Sequence, residues 1–162
     1  MMKVLLAGLA LWAGMSPALA LECPLAHAIY GQPEGPWEMR FQPLPQTAAA
    51  NQILAFSVSV PEDAARLEGG VYIPNGFGSA LGSIGLDCAD DFDTDCRFWE
   101  GTVYALVGDG IAELPHEPDQ MAPRQILLPQ FAVGVWYSTL REAGFTETGT
   151  LLDVFTLAAC AK

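Results

Sequence analysis

Residues 87–96 read DCADDFDTDC, and they are the densest concentration of chemically capable side chains in the chain. Asp87, Asp90, Asp91, Asp93 and Asp95 crowd around Cys88 and Cys96. Alternating carboxylates can converge on one hard cation, because calcium takes six to eight oxygen ligands. Asp91-Phe92-Asp93-Thr94-Asp95 supplies the D-x-D-x-D opening of a calcium loop. The position that should be glycine is Cys96, and the twelfth position, which should be acidic, is Thr102. An EF-hand is therefore excluded, and calcium is the cofactor expected only if these aspartates build a nonstandard site. The plainer expectation is an acidic turn closed by a disulfide, since charged tips keep sheet edges apart.

Other candidate chemistry is sparse. Nucleophilic catalysis through histidine needs a base beside a serine or cysteine, and the only histidines are His27 and His116. His116, Glu117 and Asp119 sit among Pro115 and Pro118 with no zinc-ligand spacing. A carboxylate pair can hydrolyse a glycosidic bond, and Glu38 and Glu100 are the strand-borne candidates. GSALG misses the G-x-S-x-G elbow by one position, so Ser79 is not nominated as a nucleophile. No lysine and no helix follow the glycine-rich GFGSALGSIG to make a phosphate loop. Trp37, Trp99, Trp136, Tyr72, Tyr104 and Tyr137 are candidate binding aromatics, because such rings combine apolar area with a polar handle. Their placement along strands and on a helix's apolar face favours core packing over a binding role.

The N-terminus has the layout of a cleaved signal peptide over residues 1–20. Lys3 precedes an uncharged apolar run from Val4 to Met15, and Ala18-Leu19-Ala20 is a small-x-small cleavage signal. The run falls short of the roughly 20 apolar residues of a spanning helix. Glu22 before Cys23 breaks a lipidation motif. A periplasmic or secreted product starting at Leu21 is expected, with residues 21–162 as one exported domain and no membrane attachment. Lys3 is the only charged residue among the first twenty. The remainder therefore holds six basic against nineteen acidic residues, a net of −13 against −12 for the whole chain. That field disfavours nucleic acid and anionic bilayers; it can attract a metal cation or a basic protein, but it speaks first to plain solubility.

Four cysteines in an oxidising compartment read as two disulfides. Of three connectivities, Cys23–Cys160 with Cys88–Cys96 is preferred, since domain ends often lie close together.

The elements that would carry these residues are mostly strands. Trp37, Met39 and Phe41 alternate with Glu38, Arg40 and Gln42, the period of a half-buried strand. Residues 53–60 repeat that pattern, and a short strand over 70–74 runs into the Asn75-Gly76 turn signal. Residues 21–36 read as irregular and 76–85 as a flexible surface connection, both on their glycine and proline content. Residues 97–107 alternate, Gly108-Asp109-Gly110 turns the chain, and 111–114 returns as a hairpin. Ile126–Leu128 is a short strand and 151–160 a buried one. A helix is expected over about 130–143, with Val133, Trp136, Leu140 and Ala143 on its apolar face and Gly144 as its stop.

The sum is a mainly β fold, an antiparallel sandwich or partly open barrel with one packed helix. The function expected is a noncatalytic exported binding or structural module with an acidic face and a basic protein partner. A calcium-dependent carbohydrate-binding module, with a glycan partner, is the first alternative. A carboxylate-based hydrolase is the second.

Overall fold

The computed structural model describes residues 21–59, 66–76, 78–88, 96–141 and 151–162. The expected signal segment, Asp90, Asp91, Asp93, Asp95, Ala143 and Gly144 lie outside the described residues.

Ten strands form one antiparallel sheet. They are β1 (Ala28–Gly31), β2 (Glu38–Gln42), β3 (Gln52–Ser59), β4 (Arg66–Tyr72), β5 (Leu81–Gly85), β6 (Arg97–Thr102), β7 (Tyr104–Val107), β8 (Gly110–Glu113), β9 (Gln125–Leu127) and β10 (Val154–Cys160). Their order across the sheet is β6-β5-β4-β3-β2-β1-β10-β9-β7-β8. Only Val103 separates β6 from β7 in the chain, yet the two strands occupy the first and ninth places in that order. A flat sheet cannot meet that condition, so the sheet curls into a half-barrel and Val103 bridges its mouth. The Val103 N–H donates to Ala80 O at 3.0 Å, which fixes the crossing. Of the two architectures expected, this is the partly open barrel and not the two-layer sandwich.

The strands lie as they do because one side chain in two is apolar. Met39 and Phe41 of β2, Leu54, Phe56 and Val58 of β3, and Leu67 and Val71 of β4 all point into the curl and are buried. Phe41 packs on Tyr30 and Phe56 with ring centroids 5.8 and 5.4 Å apart. A second aromatic cluster surrounds Phe131, whose centroid lies 5.8 Å from Trp37, 6.5 Å from Trp99 and 5.6 Å from Phe155. Edge-on ring contacts of this kind each add about 0.5–1.5 kcal/mol beyond burial.

Phe131 belongs to α1 (Phe131–Trp136), much shorter than the 130–143 helix expected. Its buried residues are Phe131 and Val135, an i, i+4 pair, whereas Val133 and Trp136 are exposed. Six residues make fewer than two turns, so the deep socket for Phe131 sets the rotation of the helix. Gln130 enters in the left-handed region at φ 63°, and the cap comes from elsewhere in the chain. Asp153, just before β10, accepts the Gln130 N–H at 2.8 Å and the Ala132 N–H at 2.9 Å.

Two segments read as irregular are strands. β1 sits between β2 and β10 near the middle of the sheet, inside the stretch whose prolines and glycines argued for loop. β5 lies within the glycine-rich stretch and pairs with β4 and β6. Its glycines answer close approach and not flexibility. A Cβ on Gly82 would come within 2.6 Å of Val103 Cγ2 and 2.9 Å of the Trp99 ring. The strand over 151–160 begins at Val154, and Phe155 is its one buried residue. The strand expected over 70–74 is β4, which runs over 66–72 and gives way to a turn in which Asn75 has φ 51°.

The cysteines pair as Cys23–Cys160 and Cys88–Cys96. The first lies beside the β1–β10 ladder and joins residues 137 apart, and the second closes a separation of 8. Among the described residues no helix is long and apolar enough to cross a membrane.

Candidate binding surface

The side of the sheet facing away from the core carries Glu38 and Arg40, Glu68 and Arg66, and Glu100 and Arg97. These form ion pairs at 2.9, 3.0 and 3.5 Å respectively. Partly exposed pairs of this kind contribute little to stability. Glu38 on β2 and Glu100 on β6 have three strands between them. Along the sheet that is about 19 Å at the usual strand spacing, well beyond the roughly 5–9.5 Å of a glycosidase pair. The two are not brought together as a catalytic pair.

Three of the depressions in the surface lie around β5 and β6. A crevice of about 620 Å³ runs between α1 and β6, with Phe98, Gln130, Val133, Tyr137, Leu86 and Cys96 in its walls. A groove of about 440 Å³ lies on the outer face, over Ala55, Gly70 and Ser83, with Arg66, Tyr72 and Cys88 at its sides. A third depression, of about 510 Å³, shares Tyr72, Ser83 and Arg97 with the groove. The Tyr72 ring lies flat across Gly70, where a Cβ would come within 2.6 Å of its hydroxyl oxygen.

The Cys88–Cys96 disulfide stands between the first two depressions. Cys96 lines the crevice and Cys88 lines the groove. The bridge rests on the sheet at Gly85, where a Cβ would meet Cys88 Sγ at 2.3 Å. Glycine at 85 is thus what lets the bridge lie down on the strand. Asp87, exposed and with φ 53°, precedes it on the groove's rim. Asp87 is the one member of the proposed calcium set among the described residues, and those residues contain no group of three or more His, Cys, Asp or Glu placed to hold a metal.

The candidate aromatics divide. Trp37 and Trp99 are buried in the core, the packing role their strand positions favoured, and are not available as binding aromatics. Trp99 Nε1 donates to Pro129 O at 2.9 Å, fixing the approach to α1. Tyr72 and Tyr104 are half-buried. Trp136 and Tyr137, 46 % and 83 % exposed, remain available at the end of α1. The Arg141 guanidinium stacks over the Trp136 ring at 4.2 Å, so that ring already serves as a cation platform. Sequence reasoning missed this contact, because Arg141 lies five residues past Trp136, beyond the end of α1, where no helical spacing pairs the two.

Neither histidine lines the crevice or the groove. His27 is exposed at the end of the short turn Leu25–His27. His116 lies in the loop over 115–124, which is pinned to the N-terminal segment by Leu25 N–H to Gln120 O and Ala122 N–H to Cys23 O. No protein-family profile, curated protein or solved structure matches the chain.

Proposed function

We propose that the protein is a noncatalytic binding module working outside the cytosol, in the periplasm or as a secreted protein, and that its partner is a cationic protein. One observation carries the reading: the disulfide that bounds the aspartate segment lies on the shared rim of an aromatic-walled crevice and an outer-face groove. In the sequence Asp90, Asp91, Asp93 and Asp95 fall between the two bridged cysteines, and Tyr137 and Val133, which line the crevice, are exposed. Acidic charge speeds encounter with a basic partner, and exposed aromatics supply the anchoring area. The net charge of −13 over residues 21–162 acts in the same direction. All four cysteines are oxidised, which removes thiol nucleophiles and suits an oxidising compartment.

The test is calorimetry with a cationic lytic enzyme such as a c-type lysozyme as probe, at low and high salt. Replacing Asp90, Asp91, Asp93 and Asp95 together by Asn should weaken low-salt binding at least tenfold and flatten its salt dependence. Absence of binding at low salt, or affinity indifferent to the four substitutions, would overturn the reading. Parallel titrations with calcium and with chelator separate it from the calcium-dependent glycan module. Glycan binding that disappears with chelator would move the assignment there.

A further inference from the structure

The two edges of the sheet are treated differently. At one, α1 packs on the β6 backbone so closely that a Cβ on Gly134 would lie 2.7 Å from Phe98 O. At the other, β8 is hydrogen-bonded to β7 alone among the described residues. Edge strands left open in this way are templates for another strand.

The hairpin geometry says which groups β8 offers. Val107 pairs with Gly110 across the two-residue loop Gly108-Asp109, with Gly108 at φ 57° in the position that primed turns reserve for glycine. The pair flanking a two-residue loop is hydrogen-bonded, and bonded and non-bonded pairs alternate. Ala105–Ala112 is therefore the next bonded pair. Ile111 and Glu113 turn their N–H and C=O groups away from β7. All four residues of β8 are exposed, Ile111 at 64 %, and neighbouring Val107 is 61 % exposed. Leu106, the partner of Ile111, continues into a trough of about 710 Å³ whose lining includes Met121, Gln125 and Thr156, with Glu113 at the β8 side and Arg124, the one cation among its described residues, at the far side.

Charge selects the occupant. Residues 107–119 contain Asp109, Glu113, Glu117 and Asp119 and no lysine or arginine, and all four acids are exposed. A second copy of β8 would bring like charges together. We infer that β8 is a docking edge for an extended, basic peptide segment, added as an eleventh strand with alternate side chains reaching over Ile111 toward the Leu106 trough. Main-chain bonds supply the affinity in such additions and the flanking pockets the specificity. The inference stands apart from the disulfide-centred surface and does not depend on it.

The probe is a capped nine-residue peptide alternating lysine with valine and threonine, titrated into the protein with amide hydrogen exchange followed by NMR. The Ile111 and Glu113 amides should slow at least tenfold on saturation. Ile111→Pro removes one outward N–H while leaving the bonds to β7 intact, as an edge position permits. It should lower affinity at least tenfold with the fold unchanged by circular dichroism. Glu113→Lys should weaken binding without altering exchange in the free protein. No binding at millimolar peptide, or protection outside β8 with Ile111→Pro binding normally, overturns the inference. If affinity instead falls with the four Asp→Asn substitutions and not with Ile111→Pro, the peptide docks at the disulfide surface, and only the proposal of the preceding section survives.

Discussion

The side-chain amide of Gln32 pairs with both backbone groups of Leu152, a residue 120 positions away. Its Nε2 donates to Leu152 O, and its Oε1 accepts the Leu152 N–H at 3.1 Å. Gln32 is buried just past the end of β1, and its amide imitates a strand partner for the chain that leads into β10. Replacing it by Leu strands a donor and an acceptor together. The expected cost is about 1–3 kcal/mol, read from urea unfolding, with faster exchange at the Leu152 amide. Unchanged stability would mean that water takes over both groups.

Gly82 reports on how tightly the curl closes. A methyl there has nowhere to go but into Val103 Cγ2 and the Trp99 ring. Gly82→Ala should destabilise by about 1–3 kcal/mol, the range for overpacking. Gly108→Ala meets no neighbour but must hold a positive φ, so it should cost about 1 kcal/mol, the lower end of the left-handed penalty. Thermal melts of the two variants, with near-ultraviolet dichroism of Trp99, distinguish crowding from backbone strain.

How much of this was legible in the sequence depended on whether a side chain's neighbours were local. The alternation of Trp37, Met39 and Phe41 gave β2, and the turn glycine gave the β7–β8 hairpin, but the single strand read over 97–107 is two, β6 and β7, divided at Val103. The cysteines pair in the preferred connectivity. β5 was hidden because its glycines answer rings from β6 and a bridging residue, which no local pattern reveals. The rotation of α1 was hidden for the same reason: Phe131 is held by Trp37, Trp99 and Phe155, all distant in sequence. At the candidate surface, the aspartate segment and Tyr137 were nominated from sequence, but the bridge's position between two depressions exists only in three dimensions.

Tyr30 gives stability a dependence on alkaline pH. Its hydroxyl donates to Pro123 O at 2.9 Å, and burial pushes the phenol's pKa well above its ordinary value near 10. The folded state therefore keeps the proton where the unfolded state releases it. Stability from this group is complete below the unfolded pKa and falls as pH rises through and beyond about 10. Tyr30→Phe should lose about 1 kcal/mol at neutral pH and should show a shallower decline between pH 9 and 12 in denaturant melts. An identical slope would assign the alkaline loss to other groups.

The two disulfides should contribute unequally. On the chain-entropy account, a separation of 137 residues restricts the unfolded chain by about 5 kcal/mol and one of 8 by about 2.5 kcal/mol. Cys23→Ser with Cys160→Ser should therefore cost about twice as much as Cys88→Ser with Cys96→Ser. Chemical denaturation of the two double variants checks the ratio, and equal losses would point to residual structure in the unfolded chain.

The Cys23–Cys160 bridge also decides how the molecule bears load. Its Cα atoms are 5.7 Å apart, and every strand of the sheet lies within the loop that it closes. Tension applied through residues outside the two cysteines travels along one covalent link and bypasses the hydrogen-bonded ladders. Pulled from its ends, the oxidised protein behaves as an inextensible knot, and only after reduction does the half-barrel become a spring that can unroll.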